Sequence, residues 1–170
     1  VEEAQRRGLP NLKSMVDAVP AYTRKENMEV FAKHKVLTET EVYSRAEIKY
    51  ESYIKQVNIE AKTMIDIASN EIKTAVIKYA GDLASSINAL TSANIDCSVS
   101  TELLNEITDN LKLMEKNLKI LKENTEKAFS MEGDNVLQAN FYKDNVVPYM
   151  EQVRLYADKL EKIVDKKYWP

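Results

Sequence analysis

Apolar and small residues recur along the middle of the chain at Tyr43, Ala46, Tyr50, Ile54, Val57, Ala61, Met64, Ala68, Ile72, Val76, Tyr79, Leu83, Ile87 and Leu90. Their mean spacing, ~3.6 residues, is that of a straight α-helix with one apolar face. The start is marked by "LTETEV": Thr38 is placed as N-cap, Glu41 completes a capping box, and Leu37 and Val42 are spaced as a hydrophobic staple. Gly81 weakens this helix by ~1 kcal/mol relative to Ala without ending it. The next stop is "TSANIDCSVS", residues 91–100, so the pattern predicts one helix over 38–92, roughly 80 Å long.

A second stripe, Leu104, Ile107, Leu111, Met114, Leu118, Leu121, Thr125 and Ala128, alternates steps of three and four. That is a strict heptad and calls for knobs-into-holes packing. Asn110, Asn117 and Asn124 recur every seventh residue beside it; they fit a register device or a solvated flank equally well. "SMEGDN" breaks the helix, with Gly133 as cap. A third helix follows over 135–167, with Val146, Met150, Val153, Ala157, Leu160 and Val164 in the same rhythm. Pro148 must kink or restart it. Upstream, residues 1–22 read as a helix remnant and an irregular linker, and "TRKE" (23–26) as a capping box for a short helix to about Lys35. The expected fold is all-α: an antiparallel three-helix bundle (helices about 38–92, 101–130 and 135–167) built on one very long helix that projects beyond it. Residues 1–37 form a linker and short helix, and 38–170 the bundle. The second and third helices reach only half of the first, so Tyr43, Ala46, Tyr50, Ile54 and Val57 form a stripe expected to be only partly covered by residues 9–37, a candidate interaction surface.

Composition narrows the function. In 170 residues there are 3 Gly and 4 Pro, too few for the glycine-rich loops of phosphate cradles. A net charge of -3 gives no push toward nucleic acid or anionic membrane, and no apolar run approaches the ~18 residues of a transmembrane helix. The single cysteine, Cys97, excludes an intrachain disulfide and suits a reducing, cytoplasmic setting. His34 has no second histidine to join it in a metal site or triad. Glu47, Glu51, Glu60 and Glu71 lack the Glu-x-x-His partners of a di-iron bundle. Tyr43, Tyr50, Tyr53 and Tyr79 read as core rather than as a ligand cage. Both ends, "VEEAQRRGLP" with Gly8 and Pro10 and the terminal "KKYWP", look cut from something longer. Taken alone, these features describe a helical structural or interaction module with no catalytic, cofactor or metal residues.

Several stretches carry a resemblance: "VEEAQRRGLPNL" followed by "DAVPA", then "SRAEI", "YIKQVNIEAKTM" and the final "WP". In this order they resemble the C-terminal region of type III glutamine synthetases. The resemblance covers essentially the whole chain, with 1–21 and 44–64 carrying most of it. It implies a parent enzyme, an ATP-dependent glutamate–ammonia ligase using Mg or Mn, assembled as homo-oligomeric rings. The catalytic motifs would lie upstream, so no residue here inherits a catalytic role and the 170 residues alone are expected to be inactive. The implied partners are the catalytic region of the same chain and neighbouring subunits. The family pattern carries a Pro near position 74, where this chain has "EIKTAVIKY"; its absence favours an unbroken helix there. A free-standing helical protein–protein interaction module is the alternative, and a ligand-sensing bundle a third.

Overall fold

The computed structural model describes residues 2–131 and 133–170; Val1, in the first of the stretches above, and Glu132, in the expected break, lie outside the described residues. The helices are α1 (Glu2–Arg6), α2 (Met15–Tyr22), α3 (Lys25–Lys33), α4 (Glu39–Asp66), α5 (Lys73–Ser92), α6 (Ser98–Phe129), α7 (Asn135–Phe141) and α8 (Val147–Ile163). Two π-helical segments, Ile67–Ile72 and Tyr142–Val146, join α4 to α5 and α7 to α8. The described residues contain no strand, and the fold class is all-α as expected.

Local chemistry explains most of the boundaries. Glu41 N–H donates to Thr38 Oγ1 (3.3 Å) while Glu41 Oε2 accepts from Thr38 N–H (2.7 Å). The capping box of "LTETEV" is therefore formed, and it pulls the Glu41 carboxyl below its ordinary pKa, first through the Thr38 N–H and then through its hydroxyl. Asp134 Oδ1 accepts from the N–H groups of Val136 and Leu137, opening α7. Gly8 (φ 72°) ends α1 in the left-handed conformation that suits glycine. The "TRKE" box does not form: Arg24 is the N-cap of α3 without a side-chain bond, and Thr23 turns back to the Pro20 carbonyl. The reason is a helix that the prolines concealed. α2 is capped by Ser14 and keeps Pro20 inside it, with Val16 and Val19 buried. Over eight residues Pro20 removes a single backbone bond, a loss that burial of two valines offsets.

Contacts group the chain into two units, Val1–Ile59 with Ala128–Asp144, and Glu60–Lys127 with Asn145–Pro170. Their boundary is not the expected one at 37/38. In the first unit α2 packs against α3 and α7, and its valines are buried together with the α4 residues Val42 and Ala46. Val16 and Val19 of α2 thus belong to the same unit as the start of α4, while residues 2–13 stay exposed.

The second unit is an antiparallel three-helix bundle. Lys73 Nζ meets Glu115 Oε2 at 3.0 Å, Asn124 Nδ2 donates to the Asn145 carbonyl at 2.7 Å, and the Tyr168 hydroxyl donates to Asp82. These three pairs fix α5 up, α6 down and α8 up. The α6 heptad supplies the core: Ile107, Met114, Leu118, Leu121 and Thr125 are buried, with the Thr125 hydroxyl satisfied by the Leu121 carbonyl. Leu104 and Leu111 are half-buried. Facing them are Ala61, Ala68, Ala75 and Val76 from the long helical stretch and Val146, Val153, Leu160 and Val164 from the third.

Helical backbone runs from Glu39 to Ser92 without interruption, in line with the missing Pro near 74, but its turn at Ile67–Ile72 is π rather than α. The π turn Tyr142–Val146 precedes Pro148, which lacks an N–H and whose ring would press on the carbonyl four residues back. The widened turn accommodates Pro148 while helical backbone continues from Asn135 to Ile163.

Leu118 and Leu111 differ in burial, and this gives a test. Leu118→Ala should cost about 2–5 kcal/mol in urea unfolding, as deletions from a closed core do, and Leu111→Ala clearly less. Equal costs would mean that the buried side of α6 is misassigned.

Candidate interaction surface

The expected surface starts from the α4 stripe, and the structure puts most of it inside. Ala46 (4%), Tyr50 (5%), Ile54 (9%) and Val57 (6%) are buried within the first unit, and only Tyr43 (48%) faces out. The expectation of incomplete cover is corrected. The cover comes from α2 and from α7, the latter a stretch that the sequence pattern places in the third bundle helix. Asn135 at the start of α7 donates to Glu47 (2.9 Å), and the Tyr142 hydroxyl donates to Asn58 Oδ1 (3.2 Å). α7 therefore lies along α4 in the same direction, with Ala139 and Tyr142 fully buried. Burial raises the pKa of Tyr142, and burial followed by the nearby Glu47 charge raises that of Tyr50.

A polar clamp ties the other side. Ser14 Oγ accepts from Asp17 N–H and donates to Asp17 Oδ2 (2.7 Å), and Lys143 Nζ meets Asp17 Oδ1 at 2.7 Å. The Lys143 ammonium, then the Ser14 hydroxyl, hold the Asp17 carboxyl below its ordinary pKa, and Asp17 in turn raises that of Lys143.

What this unit presents to solvent is a different apolar set. Ile48 and Ile59 are exposed and lie eleven residues apart on α4, about three turns, so they share a face. Leu9, Val36 and Leu137 are exposed as well. Reading for one 3.6-residue stripe selects the inner face by construction and passes over Ile48 and Ile59, whose own spacing is the only signal they give.

The other sequence candidates stay apart. His34 is an exposed C-cap of α3, Cys97 is a half-buried thiol 3.3 Å from Thr91 Oγ1, and no group of three or more His, Cys, Asp or Glu among the described residues could hold a metal ion. Of the asparagine ladder, Asn110 and Asn117 bond carbonyls of their own helix, and Asn124 alone reaches across to another. No helix among the described residues is long and apolar enough to cross a membrane.

The described elements are all helical, with packed interiors, and the first unit leaves Ile48 and Ile59 exposed. Comparison with known proteins identifies the kind of domain. The family described as glutamine synthetase C-terminal domain matches residues 1–91, and the chain belongs to that family, as the resemblance of its sequence implied. It is similar to a glutamine synthetase of Butyrivibrio fibrisolvens (33% identity over 171 residues, 99% of this chain), to the type-3 glutamine synthetase of Dictyostelium discoideum (30% over 179, 99%) and to a glutamine synthetase of Bacteroides fragilis strain YCH46 (27% over 177, 99%). The chain spans about a quarter, 24%, of the length of each.

Two outcomes follow from this geometry. Tyr50→Glu or Ile54→Glu should destabilise the first unit by about 3 kcal/mol or more, since each buries an unpaired carboxylate, whereas Tyr43→Glu should stay within about 0.5 kcal/mol. Similar denaturation midpoints for all three would return the stripe to the surface. Asp17→Asn should weaken the fold near neutral pH. The depressed carboxyl contributes fully above the unfolded-state pKa and loses its contribution as pH falls through its folded pKa, while the raised Lys143 loses its own only as pH climbs through the folded lysine value. The gap between wild type and Asp17→Asn should therefore close in strong acid; a gap independent of pH would rule the clamp out.

Proposed function

We propose that this chain is the C-terminal helical assembly and scaffolding domain of a type III glutamine synthetase, and that it contributes no catalytic, cofactor or metal residue. The parent would be a cytoplasmic enzyme that ligates ammonia to glutamate with ATP and a divalent cation, Mg or Mn. The observation that carries this reading is the alignment of 99% of the chain with one quarter of each of three glutamine synthetases, one of them a type-3 enzyme. A free-standing interaction module would not be expected to align end to end with a part of an enzyme. The partners are then the catalytic region of the same polypeptide and neighbouring subunits of a homo-oligomeric ring. The outward residues Ile48 and Ile59 on α4, exposed in the isolated domain, are the side chains best suited to that packing. They replace the buried stripe in this role, and of the original five only Tyr43 remains available.

The test uses both the parent and the domain. In the full-length parent, Ile48→Glu with Ile59→Glu should leave the domain folded and shift sedimentation toward smaller assemblies; an unchanged assembly would remove these residues from the interface. Calorimetric titration of the 170-residue chain with Mg-ATP should give no heat of binding, and stoichiometric micromolar binding would defeat the non-catalytic reading.

A further inference from the structure

We propose that the end of the helical hairpin in the second unit, residues 83–105, is a docking surface for a basic amphipathic helix presented by another polypeptide. The third helix gives out before the other two. α8 ends at Ile163, and Val164 leaves helical geometry with ψ 136°. The tail then folds onto α5, where the Tyr168 ring lies 5.5 Å from that of Tyr79 and its hydroxyl donates to Asp82. Past Asp82, α5 continues to Ser92 and α6 returns from Ser98, so about 15 Å of a two-helix hairpin extends beyond the cover of the third.

Burial stops at the same level. Val76 is the last buried residue of α5 and Ile107 the first of α6, and none of residues 77–106 is buried. The apolar pattern nevertheless continues. Leu83, Ile87 and Leu90 keep the 4-3 rhythm of a core-facing stripe on α5, opposed by Leu103 and Leu104 on α6, and all five are only half-buried. At the tip, Ile95 is 55% and Val99 78% exposed. The lane between α5 and α6 that α8 occupies lower down is left open. An amphipathic helix of about three turns would extend the three-helix packing along it, the usual helix-in-groove mode.

Charge selects the partner. The chain has 24 Lys and Arg, and none of them falls between Lys78 and Lys112. The same stretch holds Asp82, Asp96, Glu102, Glu106 and Asp109. Asp82 is engaged by Tyr168, Asp96 by the Ser98 N–H, and Asp109 by Lys112. Glu102 and Glu106 are exposed and make no ion pair among the described residues. An apolar lane whose upper rim is acidic, with Lys167 only at its lower end beside Tyr168, favours Lys or Arg flanking the partner's apolar face, and it repels the same end of a second copy.

The probe is a synthetic Leu/Lys amphipathic peptide about three turns long, with a Leu/Glu peptide of the same pattern as control, titrated into the isotopically labelled 170-residue chain. We expect amide shifts confined to residues 83–105 with the Leu/Lys peptide and none with the Leu/Glu peptide. Ile95→Asp with Val99→Asp, and separately Glu102→Lys with Glu106→Lys, should each weaken binding about tenfold or more. All four positions are exposed, so both variants should fold, and unchanged thermal midpoints check this. Absence of binding, shifts spread over both units, equal binding of the Leu/Glu peptide, or undiminished binding by the variants would each overturn the proposal. A concentration-dependent dimer of the wild-type chain that Ile95→Asp with Val99→Asp abolishes would also overturn it, by giving the lane to a second copy.

Discussion

The burial of one helix stripe sets the first unit. Val42, Ala46, Tyr50, Ile54 and Val57 lie along one side of α4, and a helix with such a side gains little in water until that side is covered, because helix propensity alone leaves it marginal. Short pieces from distant parts of the chain provide the cover. α2 brings Val16 and Val19, and α7 brings Ala139 and Tyr142. None of these pieces is long enough to be a stable helix alone. Each is locked by a polar contact at its margin: α2 by the Ser14 cap and the Asp17–Lys143 pair, α7 by Asp134 and by the Asn135–Glu47 and Tyr142–Asn58 bonds. The apolar term supplies the driving force and the polar contacts fix the register. An exposed ion pair is worth little, whereas Lys143 is three-quarters covered and engages a carboxylate already held by a serine.

In the second unit the corresponding constraint is the backbone rather than the stripe. A heptad repeat and a straight 3.6-residue helix drift apart by about 20° per heptad. Ala61, Ala68 and Ala75 keep a seven-residue spacing, and Val76 beside Ala75 is buried too. The π turn at Ile67–Ile72 falls inside that run, where a wide turn resets which residues face inward. Among the described residues, Ser69 Oγ and Glu115 Oε1 are buried without a hydrogen-bond partner, so the turn and the α6 segment facing it each carry an unsatisfied polar atom.

How much of this the sequence discloses depends on how local each cause is. The Thr38–Glu41 box was legible because all its atoms lie within four residues. So was the α6 heptad, since a seam that repeats over many turns has one geometric solution. α2 was not legible, because Pro20 and the absence of a long stripe both argue against a helix when neighbours are ignored. The asparagine ladder shows the limit plainly. Asn110, Asn117 and Asn124 have identical spacing, yet only Asn124 finds a carbonyl on another helix, because only there does Asn145 come within reach beside the π turn. The π turns were invisible for a related reason: one wide turn in a long helix hardly changes a mean period. The candidate surface failed on the same ground. A stripe shows that a face must be covered and is silent on what covers it, and the sequence pattern places α7 in the third bundle helix.

The failure changes where function can reside. A stripe satisfied by its own chain cannot also hold a partner, because opening it would forfeit the burial that keeps α2 and α7 in place. The contacts proposed with other polypeptides are left to surfaces that the folding core does not need. Ile48 and Ile59 are of this kind, standing on the face of α4 opposite the covered one, as are Ile95 and Val99 on the hairpin. As proposed, stability and association therefore fall on different residues, the buried and exposed faces of α4 in the first unit and, in the second, the buried positions of α5 and α6 against Ile95 in their connecting loop and Val99 on α6, and mutations can separate the two.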